Sequence, residues 1–269
     1  MNAPDPHAPN ATIVARRDLN DRVAILHVRP DGGEVAPFVP GQFIQLGLPA
    51  DEVAPPPDAP TRTKLVKRSY SIASAPREHE AYEILIAFVD SGKLTPKLRG
   101  YGIGDRVWHD PVPKGHFTME RVARGQDLVF VATGTGVAPF VSMLRQHGSD
   151  TLRFAHLVVV HGAREQSDLA YHDELVGAAK RDRRVRYVPI LSRESRSSDW
   201  SGLRGHVQTA LEPACFQSRA GFALDKLSAQ IFLCGNPAMI DDVRLRLAAR
   251  GFITNTPKTP GNVHFERYW

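Results

Sequence analysis

Four short segments combine residue types and spacings suited to holding phosphates and planar rings. Thr133-Gly134-Thr135-Gly136-Val137-Ala138-Pro139-Phe140 follows an apolar run and opens a stretch with helical spacing. Two glycines let the backbone approach a ligand closely, and a helix N-terminus presents unpaired N–H groups to an anion. The same residues also suit a tight strand-to-helix turn, and the third glycine of the common G-x-G-x-x-G pattern is missing. Leu233-Cys234-Gly235-Asn236-Pro237-Ala238-Met239 repeats the arrangement later in the chain. Its small thiol suits packing against a planar ring or burial as a core cysteine. Arg68-Ser69-Tyr70-Ser71 offers a phosphate-capable guanidinium, an aromatic face and hydroxyls; strand alternation sets Arg68 and Tyr70 opposite Ser69 and Ser71. Gly92-Lys93-Leu94-Thr95-Pro96 reads as a glycine turn feeding a helix, either a pyrophosphate cradle with Lys93 or simply a capped helix.

The elements that position these segments fall into two kinds. Strand patterns cover Thr12 to Val28, Phe43–Leu46, Arg68–Ile72, Glu83–Val89 and Asp105–Val107. The proline-rich stretch 49–60, with Pro55-Pro56-Pro57, reads as a loop because proline cannot join a sheet ladder. Short strands with turns between them predict an antiparallel barrel or sandwich. After Arg121 the chain alternates: strands at Leu128–Ala132, Leu157–Val160, Val185–Leu191 and Gln230–Cys234, and helices at Ala138–Gln146, Asp168–Lys180, Val207–Leu211 and Pro237–Arg250. That alternation predicts a parallel sheet. The expected organisation is a frayed terminus over 1–10, an all-β domain over 11–122 and an α/β domain over 123–269.

Composition agrees. At about 150 residues per domain, 269 residues suggest two domains. Cys215 and Cys234 are the only cysteines, too few for an iron–sulfur centre, and no metal site is expected. Redox chemistry would have to run on an organic cofactor or on cysteine itself. The apolar runs are strand-sized and the first 20 residues lack an apolar core of the signal-peptide kind, so an intracellular, non-membrane protein is expected. A net charge of +5 suggests an anionic partner. Nucleic acid is not expected, since the basic residues are dispersed and the densest run, Arg181-Asp182-Arg183-Arg184, reads as a solvated helix end.

The four segments, in this order and at these separations, resemble the ferredoxin–NADP reductase family, and its bacterial branch in particular. Its motifs R-x-Y-S, G-K-L-S/T, G-T-G-I/V-A-P-F/Y and C-G-N/D/S-P-x-M match at Arg68–Ser71, Gly92–Thr95, Gly134–Phe140 and Cys234–Met239. The resemblance implies an FAD-binding β-barrel followed by a Rossmann-like NADP-binding domain, whose C-terminal tail returns to the flavin. It implies FAD contacts from Arg68, Ser69, Tyr70, Ser71, Leu85, Ile86, Ala87, Lys93, Leu94 and Thr95. Thr135 and Gly136 would lie near both nucleotides. NADP(H) contacts would come from the His161–Arg164 run, Ser192, Arg193 and the turn Cys234, Gly235, Asn236, Pro237. Arg164 and Arg193 would take the adenosine 2′-phosphate. Relatives often carry an arginine after a glycine further on; here the run is Leu203-Arg204-Gly205-His206, so Arg204 substitutes or His206 weakens that contact.

Tyr268 and Trp269 would lie against the flavin. Ser71 and Cys234 would line the hydride path, and Glu266 would handle protons. The implied activity is hydride transfer from NADPH to the flavin and single-electron delivery to a separate acidic ferredoxin or flavodoxin, by a cytoplasmic monomer with a transient partner. A free-flavin or quinone reductase and a non-catalytic flavin-binding electron-transfer subunit are the competing readings.

Overall fold

The alternating apolar residues after position 10 form two antiparallel strands, β1 (Ala11–Asp18) and β2 (Val23–Pro30). They belong to the first of two units, Met1–His116 and Phe117–Trp269. The structure is a computed structural model that describes residues 5–50, 64–150 and 152–268.

The first unit adds β3 (Phe43–Pro49), β4 (Leu65–Ser71), β5 (Tyr82–Ala87), the single-turn helix α1 (Thr95–Leu98) and β6 (Arg106–His109). The six strands pair antiparallel in the order β4-β3-β6-β1-β2-β5. The two ends of this sheet meet through an antiparallel bridge between Ile72 and Ile84, and Ala73 N–H donates to the Glu83 carbonyl at 2.8 Å. The result is a barrel-like sheet around Ile13, Leu26, Ile44, Leu46, Ile72 and Ile84, all buried. The proline run Pro55–Pro57 lies outside the described residues.

Fraying was expected over residues 1–10; residues 5–10 instead lie tied along β6. Trp108 Nε1–H donates to the Pro6 carbonyl at 2.9 Å, and the Asn10 side chain exchanges two hydrogen bonds with the His109 backbone at 2.7 and 3.0 Å. The Asn10 amide does the work of one more ladder residue, which an asparagine among prolines does not advertise in sequence.

The second unit carries a parallel sheet in the order β10-β9-β8-β7-β11-β12. Its strands are β7 (Gln126–Thr133), β8 (Phe154–Ala163), β9 (Val185–Leu191), β10 (Leu203–Arg204), β11 (Ala229–Gly235) and β12 (Val263–Arg267). The helices are α2 (Ala138–His147), α3 (His172–Arg181), α4 (Val207–Ala210), α5 (Pro213–Ala220) and α6 (Pro237–Ala249). Val129–Ala132 and Leu157–Val160 are apolar without interruption because strands of a parallel sheet are covered on both faces.

The second unit also differs from the sequence expectation in several features. The helix expected from Asp168 begins only at His172, because Gln166–Asp168 forms its own 3-10 turn and Tyr171 adopts a left-handed conformation (φ 60°). Helix α5 and the edge strand β12 were not anticipated. The unit boundary falls at His116/Phe117, before the change in pattern at Arg121. Phe117 packs on Phe140 and Phe232 at ring separations of 5.8 and 5.4 Å, and the buried Arg153 guanidinium donates to the Met119 and Val122 carbonyls. No helix among the described residues is long and apolar enough to cross a membrane.

Candidate nucleotide-binding sites

In an open parallel sheet, ligands sit beyond the carboxyl ends of the strands. Three chain segments converge there in the second unit, on the neighbouring strands β7, β11 and β12. After β7, Gly134–Val137 makes a 3-10 turn before α2 begins. Gly134 is left-handed (φ 53°), with nothing within 4 Å of the position a Cβ would take, so it is the open glycine of the motif. Its carbonyl accepts a hydrogen bond from His161 Nε2–H at 3.2 Å, and His161 Nδ1 faces the Tyr187 hydroxyl at 3.3 Å. A carbonyl partner requires the proton on Nε2, which leaves Nδ1 as the acceptor. Burial pushes the His161 pKa down to about 4, with the Gly134 bond opposing, so the ring is neutral. Burial likewise raises the Tyr187 phenol pKa.

Gly136 has a different job. A Cβ there would overlap the Cys234 carbonyl, and one on Gly235 (φ 131°) would overlap the Thr133 hydroxyl. Asn236 N–H donates to that same Thr133 Oγ1 at 2.9 Å. These glycines let the two turns pack against each other. Asn236 caps α6, its Oδ1 accepting from Ala238 N–H (2.8 Å) and Met239 N–H (3.3 Å), and Pro237 holds the first helical position.

Cys234 is buried and pairs in register with Glu266 of β12. Tyr268 N–H donates to the Gly235 carbonyl at 3.2 Å, while its hydroxyl donates to the Thr135 carbonyl at 3.2 Å and also hydrogen-bonds the Cys234 sulfur. Burial pushes the Cys234 thiol well above its usual pKa; Glu266 adds to the rise and the Tyr268 bond opposes it. Cys234 is therefore a neutral thiol at physiological pH. Thr135, Gly136, Cys234, Gly235, Glu266 and Tyr268 thus form one cluster; Trp269 lies outside the described residues.

On the other side of β7, the pairing of β8 with β9 continues past both strand ends. Ser192 N–H donates to Ala163 O at 3.0 Å, and Arg193 N–H to Arg164 O at 2.8 Å, which sets the two arginines side by side. Both are exposed, and neither meets a carboxylate among the described residues. The acids beside them are engaged elsewhere: Glu165 and Asp168 form a reciprocal capping box, and Glu194 accepts from Gln166 N–H at 2.7 Å. The Ser192 hydroxyl donates to Ala163 O at 3.2 Å. Arg204 points back over its own loop, donating to the Glu194 and Ser195 carbonyls (3.0 and 2.9 Å), Ser198 Oγ (3.3 Å) and the Trp200 carbonyl (3.1 Å).

In the first unit, Arg68–Ser71 lies on β4 against β3, with Tyr70 opposite Ile44. Burial does not follow strict alternation: Arg68 and Ser69 are exposed, Tyr70 is half-buried on the barrel core and Ser71 is buried. The Tyr70 hydroxyl is enclosed without a hydrogen-bond partner among the described residues, and burial raises its pKa. An enclosed unpaired hydroxyl costs about 1–3 kcal/mol, a cost a polar ligand atom would offset. Leu85, Ile86 and Ala87 lie on β5, paired to Ile25, Ala24 and Val23 of β2. In the glycine turn the Thr95 hydroxyl is spent on Val89, accepting from its N–H (3.0 Å) and donating to its carbonyl (3.1 Å), and Leu94 is buried. Lys93 is exposed, so what the turn offers a ligand is this side chain and the backbone N–H groups.

Sequence reasoning did not foresee the support given by His161, Thr133 and Arg204. For His161 the signal was present: a histidine ending the run Val158-Val159-Val160 of a strand covered on both faces is a buried polar group needing partners. No group of three His, Cys, Asp or Glu among the described residues is placed to hold a metal ion.

Comparison with known proteins agrees with this geometry. Residues 130–245 match the family model described as Oxidoreductase NAD-binding domain. The flavodoxin/ferredoxin–NADP reductase of Escherichia coli (strain K12) is 32% identical over 237 residues, 87% of this chain and 89% of the relative. Ferredoxin–NADP reductase B of Sorangium cellulosum (strain So ce56) is 36% identical over 261 residues, 96% of each chain. The chain belongs to the ferredoxin/flavodoxin–NADP reductase family. Its fold also matches a crystal structure of a ferredoxin NADP+ reductase from Neisseria gonorrhoeae with bound FAD and NADP, at a TM-score of 0.81 and 24% identity, covering 97% of this chain and 98% of that one. Within the family, the sequence motifs of Arg68–Ser71 and Gly92–Thr95 fall on the barrel-like unit, and those of Gly134–Phe140 and Cys234–Met239 on the parallel-sheet unit.

Proposed function

We propose that this family member is an FAD-dependent reductase that takes hydride from NADPH and delivers electrons singly to a ferredoxin or flavodoxin. FAD, when bound, supplies the exchange between two-electron and one-electron chemistry. The observation that carries the reading is the cluster at the carboxyl edge of the parallel sheet. An open left-handed Gly134, a neutral buried Cys234 thiol and the docked Tyr268 stand there, at the same sheet edge as an arginine pair that meets no carboxylate among the described residues.

Arg164 and Arg193 bind the 2′-phosphate of NADPH by charge-assisted hydrogen bonds. Gly134 and Thr135 receive the dinucleotide at the turn, and Cys234 lines the hydride path without ionising. Glu266 sits beside it as the proton-handling group. On the barrel, Tyr70 offers its enclosed hydroxyl and Ser71 its side chain to the flavin, while Arg68 and Lys93 supply positive charge to the pyrophosphate. Arg204, Ser192, Asn236 and Pro237 support these contacts rather than make them. The net charge of +5 favours an acidic protein carrier bound transiently, and a cytoplasmic monomer fits this use.

An anaerobic titration tests the reading. The purified protein is expected to carry FAD, to bleach its flavin absorbance with NADPH within seconds, and to respond more weakly to NADH. A protein that takes up no FAD on reconstitution, or whose bound flavin NADPH leaves oxidised, would overturn it.

A further inference from the structure

Arg204 is a basic residue near the proposed 2′-phosphate site, yet its donors are turned inward. It stands at the end of edge strand β10, opposite Leu191 at the end of β9. Its guanidinium reaches acceptors at both ends and the middle of the loop between those strands: Glu194 O, Ser195 O, Ser198 Oγ and Trp200 O, all within 2.9–3.3 Å. The loop is anchored a second time by Trp200, whose Nε1–H donates to Leu203 O at 3.0 Å and whose ring packs on Ala163, Leu169 and Leu191. Gly202 lies against that ring too closely for any Cβ. Glu194, held by Arg204 at its carbonyl, in turn takes Gln166 N–H on the neighbouring loop, and Arg193 immediately before it is bonded to Arg164 O.

From this chain of contacts we infer that Arg204 is a positioning residue: it folds the 194–200 loop in advance so that Arg193 stands beside Arg164, and through them it sets the preference for the phosphorylated nucleotide. The inference rests on the proposed role of the arginine pair. Five donors in a rigid planar fork suit Arg204 to bridging several carbonyls at once, which a lysine ammonium cannot do. A loop ordered before binding does not have to be ordered by the ligand, so the affinity of NADPH is gained in the folding of the protein. NADH, lacking the 2′-phosphate, makes no use of the pair and draws no benefit.

The test compares Arg204→Ala and Arg204→Lys with the parent holoprotein in two measurements. The first is limited trypsin digestion without nucleotide, reading cleavage after Arg193 and Arg196. Both variants are expected to be cut roughly tenfold faster, since proteolysis follows the population of the open loop. The second is steady-state kinetics. The KM for NADPH is expected to rise roughly tenfold in both variants, with kcat and the KM for NADH within about twofold of the parent. Unchanged cleavage with a raised KM in Arg204→Ala, partly restored in Arg204→Lys, would make Arg204 a direct phosphate ligand and overturn the inference. Faster cleavage with no change in KM would overturn it as well. Arg164→Ala separates the two readings. If it leaves the KM for NADPH unchanged, the arginine-pair reading fails, while the trypsin result still judges the hold of Arg204 on the 194–200 loop.

Discussion

His161 holds Gly134 from behind: its Nε2–H meets the carbonyl of the left-handed glycine at 3.2 Å, from a strand position that directly follows Val158-Val159-Val160. The imidazole thus fixes which way the open peptide of the glycine-rich turn faces. Its burial requires the neutral form, with Nδ1 left to accept from the Tyr187 hydroxyl.

That requirement makes stability depend on pH in a defined window. The folded pKa of His161, about 4, lies below the ordinary 6.5, so the native state binds fewer protons than the unfolded chain. Its contribution is complete above pH 6.5 and is lost as pH falls from there towards 4, with a slope approaching 1.4 kcal/mol per pH unit, roughly the value for one proton. His264, also held near 4 by burial, acts in the same direction. The paired carboxylates Asp31 and Asp182 have lowered pKa values, so their stabilisation is lost only below pH 3.8 and does not mask the effect. Urea midpoints between pH 7 and 5 are expected to fall in the parent and to fall less steeply in His161→Gln.

The two glycines of the turn are expected to respond to alanine for different reasons and in different readouts. Gly136→Ala forces a methyl into the Cys234 carbonyl, and overpacking against backbone costs about 1–3 kcal/mol or more, visible as a lower melting temperature in the apoprotein. Gly134→Ala meets no atom within 4 Å and carries only the left-handed penalty of about 1–2 kcal/mol. Its larger effect should appear as a raised KM for NADPH, because the methyl points into the open side of the turn.

The two cysteines should separate cleanly by mass spectrometry after alkylation. Cys234 is buried and its thiol pKa is raised, so iodoacetamide at pH 8 is expected to label it roughly tenfold or more slowly than the half-buried Cys215 until the protein is denatured. If Cys234 lines the hydride path as proposed, Cys234→Ser is expected to lower kcat by roughly tenfold, with the KM for NADPH within about twofold.

Electron delivery to an acidic carrier should weaken with salt. Between about 50 and 500 mM NaCl the Debye length shrinks severalfold, and the rate of ferredoxin or flavodoxin reduction is expected to drop roughly tenfold. NADPH oxidation with a small neutral acceptor is the control. A flat profile with the protein carrier would remove the charge of +5 from the docking argument.

Much of this was legible in sequence, for identifiable reasons. Val129–Ala132 and Leu157–Val160 declare buried parallel strands because nothing polar interrupts them. Asn236-Pro237 carries the signature of a helix start, a capping side chain before a proline at the first helical position, and the structure uses both that way. What stayed hidden are interactions whose partners are main-chain carbonyls. Arg204 reaches acceptors four to ten positions earlier, and no residue type marks a carbonyl as an acceptor. β12 was equally obscure: His264-Phe265-Glu266-Arg267 is a mixed edge strand, and its register beside β11 is what sets Glu266 against Cys234.

Thr133 has a wider consequence. Its hydroxyl takes the Asn236 N–H, and the turn it begins and the turn Asn236 ends touch through Gly136 and Gly235 without room for a methyl group. Two loops in such contact cannot breathe separately. In the proposed site a dinucleotide would meet them as one solid edge, shaped during folding, and the adjustable parts would be the long arginine side chains.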